Sequence, residues 1–74
     1  MTINLKPYGI LKSYVNGQAE VSLPAGQTIR QALASLGIPS DVVALVVVND
    51  QQQDKDYLLQ DGDVVKLMAV IGGG

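Results

Sequence analysis

Seventy-four residues, 47% of them hydrophobic, make one small domain, and a chain of this size buries only about 60% of the surface its unfolded form exposes. Having no Cys, His, Phe or Trp, it excludes a disulfide framework, a thiolate nucleophile, a zinc knuckle and any histidine-activated catalytic group. Five basic against seven acidic residues give a net charge of −2, and Lys6, Lys12, Arg30, Lys55 and Lys66 are scattered, with no two adjacent. That pattern lacks the clustered basic footprint of a nucleic-acid binder.

In chain order, "TINLKPY" sets Ile3 and Leu5 on one face and Thr2, Asn4 and Lys6 on the other, the alternation of a half-buried strand. "GILKSYVNGQ" follows as a loop whose middle is expected to be irregular. Its Asn16-Gly17 pair is a strong turn signal, since both residues tolerate positive φ. Tyr8 and Tyr14 flank that loop and are expected to pack at its base with their hydroxyls in water. "AEVSLPAG" alternates again, with Ala19, Val21 and Leu23 on one face, and Pro24 and Gly26 close it. Two alternating strands around a loop read as an antiparallel hairpin.

"TIRQALASLGIP" predicts the main helix. Thr28 is a good N-cap, and Gln31 three residues later completes a capping box. Ile29, Ala32, Leu33 and Leu36 form one apolar stripe, Gly37 takes the C-cap position, and Pro39 forbids continuation. "SDVVAL" reads as a short turn and "LVVVN" as a β-branched strand stopped by Asn49 and Asp50. "QQQDKDYLLQDGD" is polar and without a long pattern, with room for a short extra strand. "VVKLMAV" is the last strand, opened by the turn Asp61-Gly62-Asp63. That turn has too few oxygen ligands for a calcium loop, so no metal site is expected. "PAG" at 24–26 lacks the glycine spacing and lysine of a phosphate loop.

The expected architecture is α+β in two layers, a mixed sheet of four to five strands with one main helix packed on one face. The last strand is apolar on both faces, Val65, Leu67 and Ala69 against Val64, Met68 and Val70, which places it mid-sheet. If the helix covers one face only, the other leaves a patch of the kind that marks a partner surface. Met68, Val70 and Ile71 are the candidates for partner contact, Met68 because methionine adapts to varied surfaces. The longest apolar runs, "VVALVVV" and "LMAVI", are far shorter than the roughly 20 residues of a membrane span. "MTINLKPYG" lacks the apolar core of a signal peptide. The expected location is the cytoplasm, with no nucleic acid and no membrane among the partners.

The chain runs on to Gly72, Gly73 and Gly74, which can pack no core. Read alone, they are a frayed terminus. Taken together, "LPAGQTIRQAL", "LVVVN", "QDGDVVKL" and the terminal glycines resemble the ThiS and MoaD sulfur carriers, β-grasp relatives of ubiquitin, over essentially the whole chain. The resemblance implies a β-grasp domain over residues 1–71 and a flexible glycine tail over 72–74. It implies that Gly74 bears a carboxylate that a partner enzyme adenylates with ATP and that a sulfur donor converts to a thiocarboxylate. That group then gives its sulfur to a cofactor under construction, molybdopterin or the thiazole of thiamine. Gly73 is the approach to the reactive end, and Gly72 is one glycine beyond the usual pair.

In this reading the chain is no enzyme and binds no cofactor of its own. Its partners are a ubiquitin-activating-type adenylating enzyme and a sulfur-accepting synthase subunit, and it corresponds to the small subunit of a molybdopterin synthase. The long first loop leans toward the MoaD side, while "LMAVI" lacks the aromatic and proline residues of a MoaD ending. Two other functions remain open: a ubiquitin-like modifier joined to lysines of target proteins, and a non-catalytic β-grasp interaction module. The glycines suit the carrier chemistry physically. A thread without Cβ atoms fits a channel as wide as a peptide backbone, and four extended residues reach at most about 13–14 Å.

Overall fold

The computed structural model describes residues 1–69. Its elements are β1 (Thr2–Pro7), a 3-10 helix (Gly9–Val15), β2 (Val21–Pro24), α1 (Ile29–Ser35), a 3-10 turn (Ser40–Val42), β3 (Val43–Val48), β4 (Gln51–Gln52) and β5 (Val64–Ala69). The five strands form one sheet in the order β2-β1-β5-β3-β4. β1 and β5 pair in parallel, with Leu5 beside Val65 and Pro7 beside Leu67. The remaining pairs, β1 with β2, β3 with β5 and β3 with β4, are antiparallel.

Alternation works as expected in β1 and β5. Ile3 and Leu5 of β1 and Val65 and Leu67 of β5 are buried together with Ile29, Ala32 and Leu33 of α1. One face of the sheet therefore carries the core, closed by the helix, by Leu11 from the first loop and by Leu59 from the segment after β4.

The first loop is more ordered than its sequence implied. Leu11 and Val15 are both buried, and the segment winds as a 3-10 helix. Asn16 ends it at φ 58°, and the Gly17 amide donates to the Lys12 carbonyl at 2.8 Å. β2 is shorter than "AEVSLPAG" predicted, since Ala19 and Glu20 fall outside it. Tyr8 and Tyr14 stay exposed.

α1 begins with the predicted capping box. Thr28 Oγ1 accepts from the Gln31 amide at 3.1 Å, and Gln31 Oε1 accepts from the Thr28 amide at 2.9 Å. The two amides between them, left orphaned in any helix start, donate across the molecule: Ile29 to the Tyr57 carbonyl and Arg30 to the Lys55 carbonyl. At the other end the cap is Leu36 rather than Gly37. Gly37 follows at φ 72°, its amide donating to Ala34 and the Ile38 amide to Leu33. Those two bonds define a Schellman motif, which ends the helix and turns Ile38 into the core.

Asn49 and Asp50 link β3 to β4 as a two-residue hairpin with φ of 51° and 67°, the positive pair that a type I′ turn requires. The polar segment between β4 and β5, without pattern in the sequence, acts as a brace. Gly26 donates to the Leu59 carbonyl and the Leu59 amide donates to Gln27. The turn at 61–63 then ties the start of β1. Asp61 Oδ1 accepts from the Thr2 amide, the Gly62 amide donates to the Thr2 carbonyl, and the Asn4 amide donates to the Asp63 carbonyl.

Asp63 is the buried polar residue at the centre of this bracing, only 6% exposed. Its carboxylate accepts from Asn49 Nδ2 at 2.8 Å, the Gln60 amide at 2.8 Å and the Tyr57 hydroxyl at 3.3 Å. Asn49 in turn accepts from the Val64 amide. The cluster joins the β3–β4 hairpin to the first residue of β5. Burial, reinforced by the Asp63 charge and hydrogen bond, raises the Tyr57 phenol above its ordinary pKa of 10.0.

Replacing Asp63 with Ala strands the Asn49 amide and the Gln60 N–H, and is expected to cost about 1–3 kcal/mol of stability, read from urea unfolding. The raised phenol has a definite sign. Because the folded state holds its proton to higher pH than the unfolded chain does, the stabilisation is complete below pH 10 and declines above it. Thermal unfolding of Tyr57→Phe across the alkaline range should therefore lose less stability than the wild type does; identical alkaline slopes would remove this account of Tyr57.

Candidate functional site

β5 is the strand from which the glycine-terminated segment continues, and it lies in the middle of the sheet. It is paired with β1 along Val64–Leu67 and with β3 from Val65 to Ala69. The pairing with β3 is irregular near its end, with a register shift between Val43 and Leu45. The Tyr8 amide adds a bond to the Leu67 carbonyl at 3.0 Å. A strand bonded on both sides is among the last parts of a sheet to open.

Side chains along β5 divide between two environments. Val65 and Leu67 are fully buried in the core, whereas Val64, Lys66 and Met68 face away from it. Met68, a predicted partner residue, is exposed on this open face beside Leu45 of β3. Val70 and Ile71, the other two, and Gly72, Gly73 and Gly74 lie outside the described residues. So does the expected boundary between residues 71 and 72.

The neighbours of Lys66 on the open face are Val47 of β3 on one side and Lys6 of β1 on the other. Lys6, Lys66, Val64, Asn49 and Asp50 line a shallow depression of about 310 Å³. Two lysines near opposite ends of the chain thus stand side by side. In the sequence they are two of five scattered basic residues, the pair expected there to meet acidic groups on a partner, and the parallel register of β1 on β5 sets them side by side. The hairpin places Asp50 Oδ1 3.6 Å from Lys66 Nζ. That carboxylate is 90% exposed, so the pair contributes little to stability.

Several polar groups on the body of the domain are committed to structure. The Ser13 hydroxyl donates to Ile10 and the Ser35 hydroxyl to Ala32, and with no histidine in the chain neither has a base to activate it. The Asp61 and Asp63 carboxylates bind protein amides, as described above. The amides at the start of α1 all have acceptors. The five glycines among the described residues all sit at positive φ in turns, which accounts for their presence. Among the described residues, no helix is long and apolar enough to cross a membrane.

Comparison with curated proteins gives no match. Among solved structures, SAMP1 from Haloferax volcanii superimposes with a TM-score of 0.72 at 20% identity, covering 100% of both chains. Urm1 from Trypanosoma brucei gives 0.73 at 20% identity over 99% of this chain and 95% of that one. A complex of subunits 1 and 2 of the molybdopterin-converting factor from Helicobacter pylori gives 0.66 at 22% identity, with 100% coverage of each chain. These likenesses establish the ubiquitin-like β-grasp fold expected from the sequence. The ThiS family model matches residues 7–74, including the glycine end. Its members are small carrier proteins that serve as subunits and substrates of partner enzymes rather than as catalysts. A β-grasp body whose last strand precedes three glycines in the sequence fits those terms: the chain belongs to the ThiS family.

Proposed function

We propose that the chain is a sulfur carrier whose working group is the carboxylate of Gly74. At neutral pH a terminal carboxylate, with an ordinary pKa of about 3.3–3.7, is ionised. In the proposed sequence it attacks the α-phosphorus of ATP within an adenylating partner, and pyrophosphate leaves. A sulfur donor then displaces AMP to give the thiocarboxylate, which a synthase subunit consumes. The acyl-adenylate has to be kept from water, and a side-chain-free tail can enter a closed site while the body stays outside.

The observation that carries this reading is the family match through residue 74, joined to a body that offers no activated nucleophile. Molybdopterin synthesis is favoured over thiamine synthesis by the first loop, long enough to wind a seven-residue 3-10 helix, and by the likeness to the molybdopterin-converting factor complex. A protein-modifier function is the second reading, supported by the likeness to SAMP1, named a small archaeal modifier protein, and to Urm1. Both functions share the adenylated intermediate and part after it.

Intact-mass spectrometry after incubation with the adenylating enzyme, ATP and a sulfur donor separates them. The carrier gains the mass by which sulfur exceeds oxygen, whereas the modifier appears as conjugates on lysines of other proteins. Appending one alanine that cannot be clipped off after Gly74 should abolish both products and leave thermal unfolding unchanged. Sulfur delivery by that capped protein would refute the assignment of the working group to Gly74.

A further inference from the structure

The Asn16-Gly17 pair that ends the first loop is chemically reactive as well as a turn. The backbone nitrogen that follows an asparagine can attack the side-chain carbonyl carbon, and a glycine at that place has no Cβ to hinder the approach. Of the three asparagines in the chain, Asn16 alone precedes a glycine. Asn49 is held at both ends of its carboxamide, by Asp63 and by the Val64 amide. Asn16 is exposed to water, so solvent access puts no limit on its reaction.

The fold nevertheless closes the path twice. Asn16 sits in the left-handed region at φ 58° and ψ 33°, which asparagine tolerates. Ring closure requires the Gly17 nitrogen to lie on the same side of the Cα–C bond as Cβ. At this ψ the nitrogen stands nearly opposite Cβ, and no side-chain rotamer brings the reacting atoms to the attack separation of about 3–3.5 Å. The proton that the Gly17 nitrogen must lose is also held, because its N–H donates to the Lys12 carbonyl at 2.8 Å. The Gln18 amide adds a bond to the Val15 carbonyl at 3.1 Å, and the buried Leu11 and Val15 hold the 3-10 helix in place.

We propose that Asn16 is a latent deamidation site gated by the first loop: a chain whose 3-10 helix opens is converted there, and a closed chain is not. Once the loop is open, hydroxide removes the Gly17 N–H proton and the nitrogen attacks Cγ of Asn16. The N–Cγ bond forms, the Cγ–Nδ2 bond breaks, and ammonia leaves with a proton taken from water. Water then opens the succinimide at either carbonyl to give aspartate or isoaspartate, and nothing is oxidised or reduced. Isoaspartate routes the main chain through the side-chain methylene and lengthens it by one atom. The Gly17 and Gln18 amides then lose their register with Lys12 and Val15, so a loop that has reacted cannot reclose as before. The modification is a permanent record of loop opening, and it is independent of the carrier reading.

The test incubates the full 74-residue chain in mildly alkaline buffer and follows position 16 by peptide mapping. Conversion is read as the mass by which OH exceeds NH2, with isoaspartate resolved by chromatography. A peptide of residues 12–20 supplies the ungated rate. We expect the folded chain to react about tenfold or more below the peptide, since only the open fraction is competent, and urea to close that gap. Hydrogen exchange at the Gly17 amide should be slowed by a comparable factor, because one opening frees the same proton for both reactions. Val15→Ala, which trims a buried anchor of the loop, should speed the two together.

Conversion of the folded chain at the peptide's rate would overturn the inference, as would no conversion in urea while the peptide reacts. Strong protection of the Gly17 amide without matching protection against deamidation would also overturn it, since the reaction would then proceed with the loop closed. If Val15→Ala does not fold, the urea series on the wild-type chain decides by the same comparison of the two rates.

Discussion

The parallel pairing of β1 with β5 is the constraint on which the rest of the structure depends. Parallel neighbours cannot be joined by a tight turn, because the chain must return to the same end of the sheet. Everything between Pro7 and Val64 serves as that return: the hairpin strand, the helix, β3 with its short partner, and the polar brace. The excursion lays α1 over one face and leaves β5 bonded on both sides. β5 is therefore a central strand of the sheet rather than an edge.

The polar groups show where the chemistry of this molecule is absent from its body. The buried Asp63 carboxylate is consumed by Asn49, Gln60 and Tyr57, and it sits where the β3–β4 hairpin meets the start of β5. The opening amides of α1 are consumed by Thr28 and by the carbonyls of Tyr57 and Lys55. A buried carboxylate or an uncapped helix start is where a binding site is usually sought. Here each is satisfied internally, and the consequence is rigidity. This agrees with membership of a family whose members are acted on by partner enzymes.

The two faces of the sheet divide the remaining work. The covered face excludes water with a core of buried aliphatic side chains, against which Tyr57 packs. The open face keeps apolar residues of β3 and β5 within reach of solvent beside two lysines. Burial explains the first face completely.

Local physics made much of this legible in the sequence. The alternation of Ile3 and Leu5, the capping box of Thr28 and Gln31, the stop at Gly37 and Pro39, and the two-sided apolar pattern of the last strand each depend on near neighbours, so each could be read residue by residue. So could the lack of any thiol or imidazole, and the resemblance that the family model bears out. The tertiary structure decided what depends on register between distant strands. It set Lys6 beside Lys66, turned a patternless polar segment into a brace on the start of α1, made Asp63 a buried acceptor, and wound the first loop around Leu11 and Val15. Sequence patterns report which face a residue occupies, because periodicity is local; which residue stands opposite it follows from pairing across the whole chain, which no local pattern encodes.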